Sequence, residues 1–224
     1  MGGGTPALRL RAPDRKVVPM AHRDLAIILL AAGASTRMRG RDKLLEQVDG
    51  MPLIRRQALM ARAVTTGPVL VALPPAPHPR YAALAGLDVT PVPVAQASEG
   101  MNASLRCAFG ALPVATPCAM LLLADLPELT ANDLRTIAQA VDLDSEMKIW
   151  RGKTEQGEPG HPVVFHADLF DAFATLQGDT GGREVVAQAK GRVALIPLPG
   201  TRARLDLDTP EDWAAWRAAK DGPT

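Results

Sequence analysis

The feature that most constrains this chain is an alternation. Short apolar runs, Ala26 to Leu30, Val69 to Leu73, Met120 to Leu123 and Val193 to Pro197, are bounded by turn residues, and Val163 and Val164 beside Phe165 make another. Between them, Pro52 to Val64, Met101 to Ala111, Thr130 to Val141, Ala167 to Leu176 and Arg183 to Ala189 carry apolar residues at three- and four-residue spacing. The runs suit strands; the spaced segments suit helices with an apolar stripe. Strand-then-helix order predicts an α/β fold with a mainly parallel sheet and helices on both faces. A last helix is marked by Thr209 as cap, Pro210 in its first turn and Glu211 and Asp212 at its positive end. Trp213 and Trp216 fall on one of its faces and are expected in the core. The proline-rich "LPPAPHPR", 73 to 80, reads as an irregular connection with a solvated His78.

A chain of 224 residues holds one substantial core, placed here at 25–219. Residues 1–24 mix glycine, proline and arginine without an apolar stretch, and read as a disordered basic tail. The net charge of +1 and low aromatic content argue against a nucleic-acid platform, so any charge-based function is local. The longest apolar run, Leu25 to Ala34, is about half of the roughly 20 residues a membrane helix needs. Cys107 and Cys118 lack metal-ligand spacing, and this usage suits a reducing cytoplasm.

The segment "LLAAGASTRMRGRDK", 29 to 43, turns abruptly from an apolar strand into small residues and charges. A loop that leaves a buried parallel strand lies at the carboxyl edge of the sheet, where such folds bind ligands. Ala31, Ala32, Gly33, Ala34 and Ser35 are small enough to bring backbone N–H groups against phosphate oxygens, and Arg37 and Lys43 supply positive charge. The spacing is neither that of a P-loop nor that of a dinucleotide fingerprint, and a tight turn with exposed cations fits it equally well. Further along, "LLLADLP" ends an apolar strand in Asp125. An acid at that edge can hold Mg²⁺ or simply cap a turn. In "RLDLDTP", Asp206 and Asp208 share one face if extended; helix capping around Thr209 is the rival for Asp208 and leaves Asp206 unexplained.

Taken in order, "LAAGASTRMRGRDKLL", "ADLP", "GHPVVF", "GDTGGR" and "DLDTPED" resemble the nucleotidyltransferases that mature the molybdenum cofactor, over residues 25 to 216. Within that family the chain most resembles the cytidylyltransferase branch. The resemblance implies a Rossmann-like three-layer sandwich of the nucleotide-diphospho-sugar-transferase type, with Mg²⁺ as cofactor. It implies transfer of CMP from CTP to the phosphate of molybdopterin cofactor, with release of pyrophosphate, and a downstream molybdoenzyme as possible partner. It places the nucleotide on Leu30 to Gly33, Ser35, Arg37 and Lys43, with Gly100, Asn102 and Ser104 of "SEGMNASL" near base and sugar. Asp125 is the implied metal ligand, Asp208 the second and Asp206 their neighbour; Arg37, Lys43 and Asp125 are the implied catalytic groups.

His161, in a compact Gly160-His161-Pro162 turn, is placed near the acceptor, where it binds phosphate or is a plain turn residue. Asp179 could cap the next helix, while Gly181, Gly182 and Arg183 suit an anion of the acceptor. The loop departs from the family's commoner form: Arg39 intervenes before Gly40, and Arg41 adds a cation. Ala32 stands where guanylyltransferase relatives commonly have glycine. Transfer from GTP, transfer to a sugar phosphate, and a catalytically silent maturation chaperone are the alternatives.

Overall fold

The computed structural model describes residues 24–220, so the tail expected over 1–24 lies, apart from Asp24, outside the described residues. The first half runs β1 Ala26–Leu30, a small hairpin of β2 Gln47–Val48 and β3 Met51–Pro52, α1 Leu53–Arg62, β4 Val69–Leu73, α2 Pro79–Leu84, β5 Thr90–Pro93 and α3 Met101–Gly110. The second half runs β6 Cys118–Leu123, α4 Ala131–Gln139, β7 Ile149–Lys153, β8 Pro159–His166, α5 Phe170–Ala174, α6 Arg183–Gln188, β9 Val193–Pro197 and α7 Pro210–Lys220.

Seven strands form one sheet in the order β5-β4-β1-β6-β8-β7-β9. Its pairings are parallel except those that β8 makes with β6 and β7. The mainly parallel α/β sheet expected from the alternation is therefore present, with one reversed strand inside it.

The central strands read as continuous apolar runs because both of their faces are covered. Ile27 and Leu29 pack with α1, α4 and α7 residues such as Ile54, Leu134 and Trp213, whereas Ala26 and Ile28 pack with Leu105, Phe109 and Phe173 on the other side. This is a three-layer sandwich. Trp213 and Trp216 meet edge to face at 5.8 Å, in the core as expected. Thr130 and Asp133 close a reciprocal capping box that starts α4, and Thr209 and Asp212 exchange the same kind of bonds ahead of α7. Burial pushes the Cys118 thiol up to about 12, which makes it unreactive. No helix among the described residues is long and apolar enough to cross a membrane.

Three segments differ from their expected form. The segment 73–80 is not wholly irregular: His78 accepts a hydrogen bond from Arg80 N through Nδ1, and Pro79 opens α2. The helix expected over 167–176 is a short 3-10 turn followed by the five residues of α5. Residues 160–162 are not a turn but belong to β8, in which His161 N donates to the Ala203 carbonyl at 2.7 Å.

Candidate active site

β1, β4 and β6 run side by side, so their carboxyl ends deliver the loops after Leu30, Leu73 and Leu123 to one edge. The loop after β1 is held from beneath by a residue that sequence reasoning missed. Arg80 is almost completely buried; it donates to the Ala31 carbonyl at 2.6 Å, to Ser35 Oγ at 3.2 Å and to both carboxylate oxygens of Asp42 at 2.7 Å. Burial by itself would raise the Asp42 carboxyl, but the bond and charge of Arg80 prevail and hold it below its ordinary value. Asp42 also accepts from Leu44 N at 2.9 Å, which starts the 3-10 turn bearing Lys43. The loop is thus a preformed concavity.

A cavity of about 460 Å³ opens over it, lined by Ala32, Gly33, Ser35, Arg41, His78 and Ser98 among others. That volume lies within the usual range for a small-molecule site. A Cβ added to Gly33 would meet nothing within 4 Å, so the bare backbone leaves space rather than filling a packing need. Leu30 and Ala31, by contrast, are buried in the core, and among the expected nucleotide-binding residues they present no side chain to the cavity. The added cations of the loop are tied down, Arg39 to Glu211 at 2.7 Å and Arg41 to Glu46 at 3.2 Å.

Residues from distant parts of the chain meet beside this loop. Lys43 Nζ lies 2.5 Å from Asp125 Oδ2 and 2.7 Å from Asp208 Oδ1, and Arg37 reaches Asp208 Oδ2 at 2.6 Å. Burial opposes the charge on Lys43, yet Asp125 and Asp208 raise its pKa above the ordinary value. Burial likewise opposes ionisation of Asp208, but Lys43 and then Arg37 bring it below the ordinary range. Asp206 moves the other way, raised by burial and by the neighbouring charge of Asp208. Cations on Asp208, Lys43 on one oxygen and Arg37 on the other, offset the repulsion between the two carboxylates.

Asp125 Oδ1 is buried and has no hydrogen-bond partner, an acceptor available to a cation. Lys43 Nζ shows that Asp125 and Asp208 can grip one positive centre together. Such hard oxygen donors fit Mg²⁺ or Mn²⁺, which completes its shell with waters and phosphates. Asp125, Asp206 and Asp208 do not form a ready-made three-ligand cage, and none occurs among the described residues.

The other expected contacts gather elsewhere. Asn102 is buried, donating to the Gln177 carbonyl at 2.7 Å and Thr180 Oγ1 at 2.9 Å while accepting from Gly182 N at 3.2 Å. Its amide therefore fastens the 177–182 loop instead of facing the cavity, and Ser104 is buried further along α3. Asp179 does not cap the helix after it: Oδ1 accepts from Met101 N at 2.6 Å, at the start of α3. Gly100 is needed for that contact, since a Cβ there would lie 2.7 Å from the Asp179 carboxyl. Gly181, within this loop, and Arg183, directly after it, are exposed. His161 is not among the residues lining the cavity, and its Nδ1 is buried with no hydrogen-bond partner. Burial and then the charge of Arg151 lower its pKa to about 4, so the ring is neutral.

The family described as the MobA-like NTP transferase domain matches residues 27–193. A probable molybdenum cofactor guanylyltransferase of Synechococcus elongatus is 30% identical, over 86% of this chain and 97% of the relative. One of Natronomonas pharaonis with the same name is 28% identical, over 83% and 93%. The crystal structure of Rv0371c from Mycobacterium tuberculosis in complex with manganese superposes with a TM-score of 0.71 at 25% identity, over 89% of this chain and 100% of that one. The concavity over the loop, the cation-gripping acids beside it and the match through most of the sheet lead to one conclusion: this chain belongs to the MobA-like NTP transferase family, nucleotidyltransferases of molybdenum cofactor metabolism.

Proposed function

We propose that the chain transfers CMP from CTP to the terminal phosphate of molybdopterin cofactor, releasing pyrophosphate. The observation that carries nucleotidyl transfer is the meeting of Lys43 with Asp125 and Asp208 beside an open phosphate loop. The loop backbone from Ala32 to Ser35, with Arg37 and Lys43, binds the triphosphate, and Arg80 keeps the loop in shape. Asp125 and Asp208 hold a divalent metal, which when bound supplies positive charge to the triphosphate.

The acceptor phosphate is already an oxyanion, so no strong general base is needed. Its oxygen attacks the α-phosphorus, a new P–O bond forms, and the bond to the bridging oxygen breaks as pyrophosphate leaves. Catalysis is then a matter of alignment and charge. Arg37 and Lys43 must leave the carboxylates they now pair with in order to serve the phosphates. Binding therefore exchanges partners on both sides, metal for cation and phosphate for carboxylate.

The choice of CTP rests on the chain's resemblance to the cytidylyltransferase branch, to which Ala32 is similar but which one methyl group does not decide. GTP is the second reading, favoured by the names of the Synechococcus and Natronomonas relatives. The test is pyrophosphate release from CTP, GTP, ATP and UTP with Mg²⁺, with and without molybdopterin cofactor. Release from CTP only when that acceptor is present supports the proposal, and release from GTP instead transfers it to the second reading. Asp125→Asn is expected to lower the rate about 1,000-fold while the protein stays folded. Silence with every nucleotide would leave a maturation chaperone as the better account.

A further inference from the structure

The turn that carries Asp125 rests on a buried polar side chain that the proposed reaction leaves unused. Gln57 lies on the core-facing side of α1, among Leu53, Ile54, Ala58 and Ala61, and none of its surface is exposed. Its Nε2 donates at 2.6 Å to the carbonyl of Leu126, the residue directly after Asp125. Its Oε1 is buried and has no hydrogen-bond partner among the described residues.

A buried amide oxygen without a donor lowers stability, and an apolar side chain of similar length would avoid that cost. The Leu126 carbonyl does not depend on the glutamine, because Leu129 N also donates to it at 3.3 Å. Stability therefore does not account for Gln57. What the side chain adds is a short bond that fixes one point of the backbone beside Asp125.

That point completes a pair of anchors. Ahead of Asp125, Ala124 N donates to the Leu30 carbonyl at 3.1 Å, which ties the turn to the end of β1. Behind it α1 takes hold, through Gln57 at Leu126 and, more loosely, through Arg56 at the Leu129 carbonyl at 3.4 Å. Four residues before Gln57, on the same face of the helix, Leu53 N donates to the Glu46 carbonyl at 2.9 Å, at the end of the 3-10 turn bearing Lys43. One helix thus supports the segments of both Lys43 and Asp125, whose side chains meet at 2.5 Å.

We propose that Gln57 is a positioning residue: its bond to the Leu126 carbonyl aims the Asp125 carboxylate so that it and Asp208 can grip one divalent ion. The role deepens the proposed function and rests on its reading of Asp125 and Asp208 as the metal pair. Ligands of such a site must be held within about 0.5 Å of their working geometry, a tolerance that a single loosened peptide exceeds.

Mn²⁺ binding to the full chain, without nucleotide, is measured by electron paramagnetic resonance in the parent, Gln57→Met, Asp125→Asn and the double variant. Gln57→Met keeps the length of the side chain and loses the donor. It should bind Mn²⁺ at least 5-fold more weakly at a Tm equal to or above the parent's, because the unpaired oxygen is gone. In the Asp125→Asn background the same substitution should change Mn²⁺ affinity less than 2-fold. Where turnover exists, the rate lost in Gln57→Met should return as Mn²⁺ is raised. Gln57→Leu takes its place if the methionine variant does not fold. Parental Mn²⁺ affinity in Gln57→Met overturns the positioning role while leaving the metal pair standing, provided that Asp125→Asn weakens binding. Weaker binding with a lowered Tm overturns it too, since general loosening explains both. Parental affinity in Asp125→Asn removes the metal pair itself, and the role of Gln57 falls with it.

Discussion

Arg80 shows how one side chain can set the shape of a loop distant in sequence. Its guanidinium fills the space under Ala31 and Ser35 and holds Asp42 with a fork of bonds. Arg80→Met would leave Asp42 as a mostly buried charge without its partner, at a cost of about 3 kcal/mol. A loss of unfolding free energy of that size in urea, with a raised KM for the nucleotide, is the expected outcome. Arg80→Lys should recover part of the stability and less of the KM, because a single ammonium cannot reach Ala31, Ser35 and Asp42 together. Nucleotide kinetics that stay at parental values in both variants would remove Arg80 from any role in shaping the loop. Nothing in the sequence marked this residue, since a lone arginine in a proline-rich stretch reads as solvated. Lys43, Asp125 and Asp208 were legible because each follows a recognisable strand or precedes a recognisable helix.

At the scale of elements, the strands buried on both faces were plain, and the ones with mixed environments were not. β5 is an edge strand whose sequence, Thr90–Pro93, alternates with proline, a residue that an edge tolerates because it needs no donor on its free side. β7 contains Arg151, Gly152 and Lys153, which mask its pairing with β8 and β9. The start of β8 was misread as a turn because Gly160 and Pro162 are turn residues by composition. Here Gly160 is glycine for another reason: a Cβ would run into the Ala203 carbonyl. Gly160→Ala should therefore force apart β8 and the segment leading to Asp206 and Asp208. Thermal unfolding should report a loss of about 2 kcal/mol or more, and manganese affinity at the acidic pair should weaken with it. A variant with parental Tm would show that the Ala203 segment yields freely.

For the whole molecule, acid stability offers a test that is independent of turnover. His161 is neutral in the fold with a pKa of about 4, whereas an unfolded histidine titrates near its ordinary 6.5. Below pH 6.5 the unfolded chain takes up a proton that the folded chain refuses, so stability is full above 6.5 and declines as pH falls toward about 4. Over that window the loss is on the order of 3 kcal/mol. His161→Gln should flatten the decline in urea midpoints between pH 6.5 and about 4, and a parental slope in the variant would show that the ring is protonated without strain. The sequence by itself determined the layered α/β order, the strand ends that carry the small-residue loop after β1 and Asp125, and the capped final helix. These come from local periodicity and from which residues can cap or turn, properties carried by neighbours along the chain. Only the tertiary structure decided that Asn102 and Asp179 fasten a loop and that Arg80 braces another. Burial and pairing are set by residues far apart in sequence, and no spacing rule records which charge will find a partner.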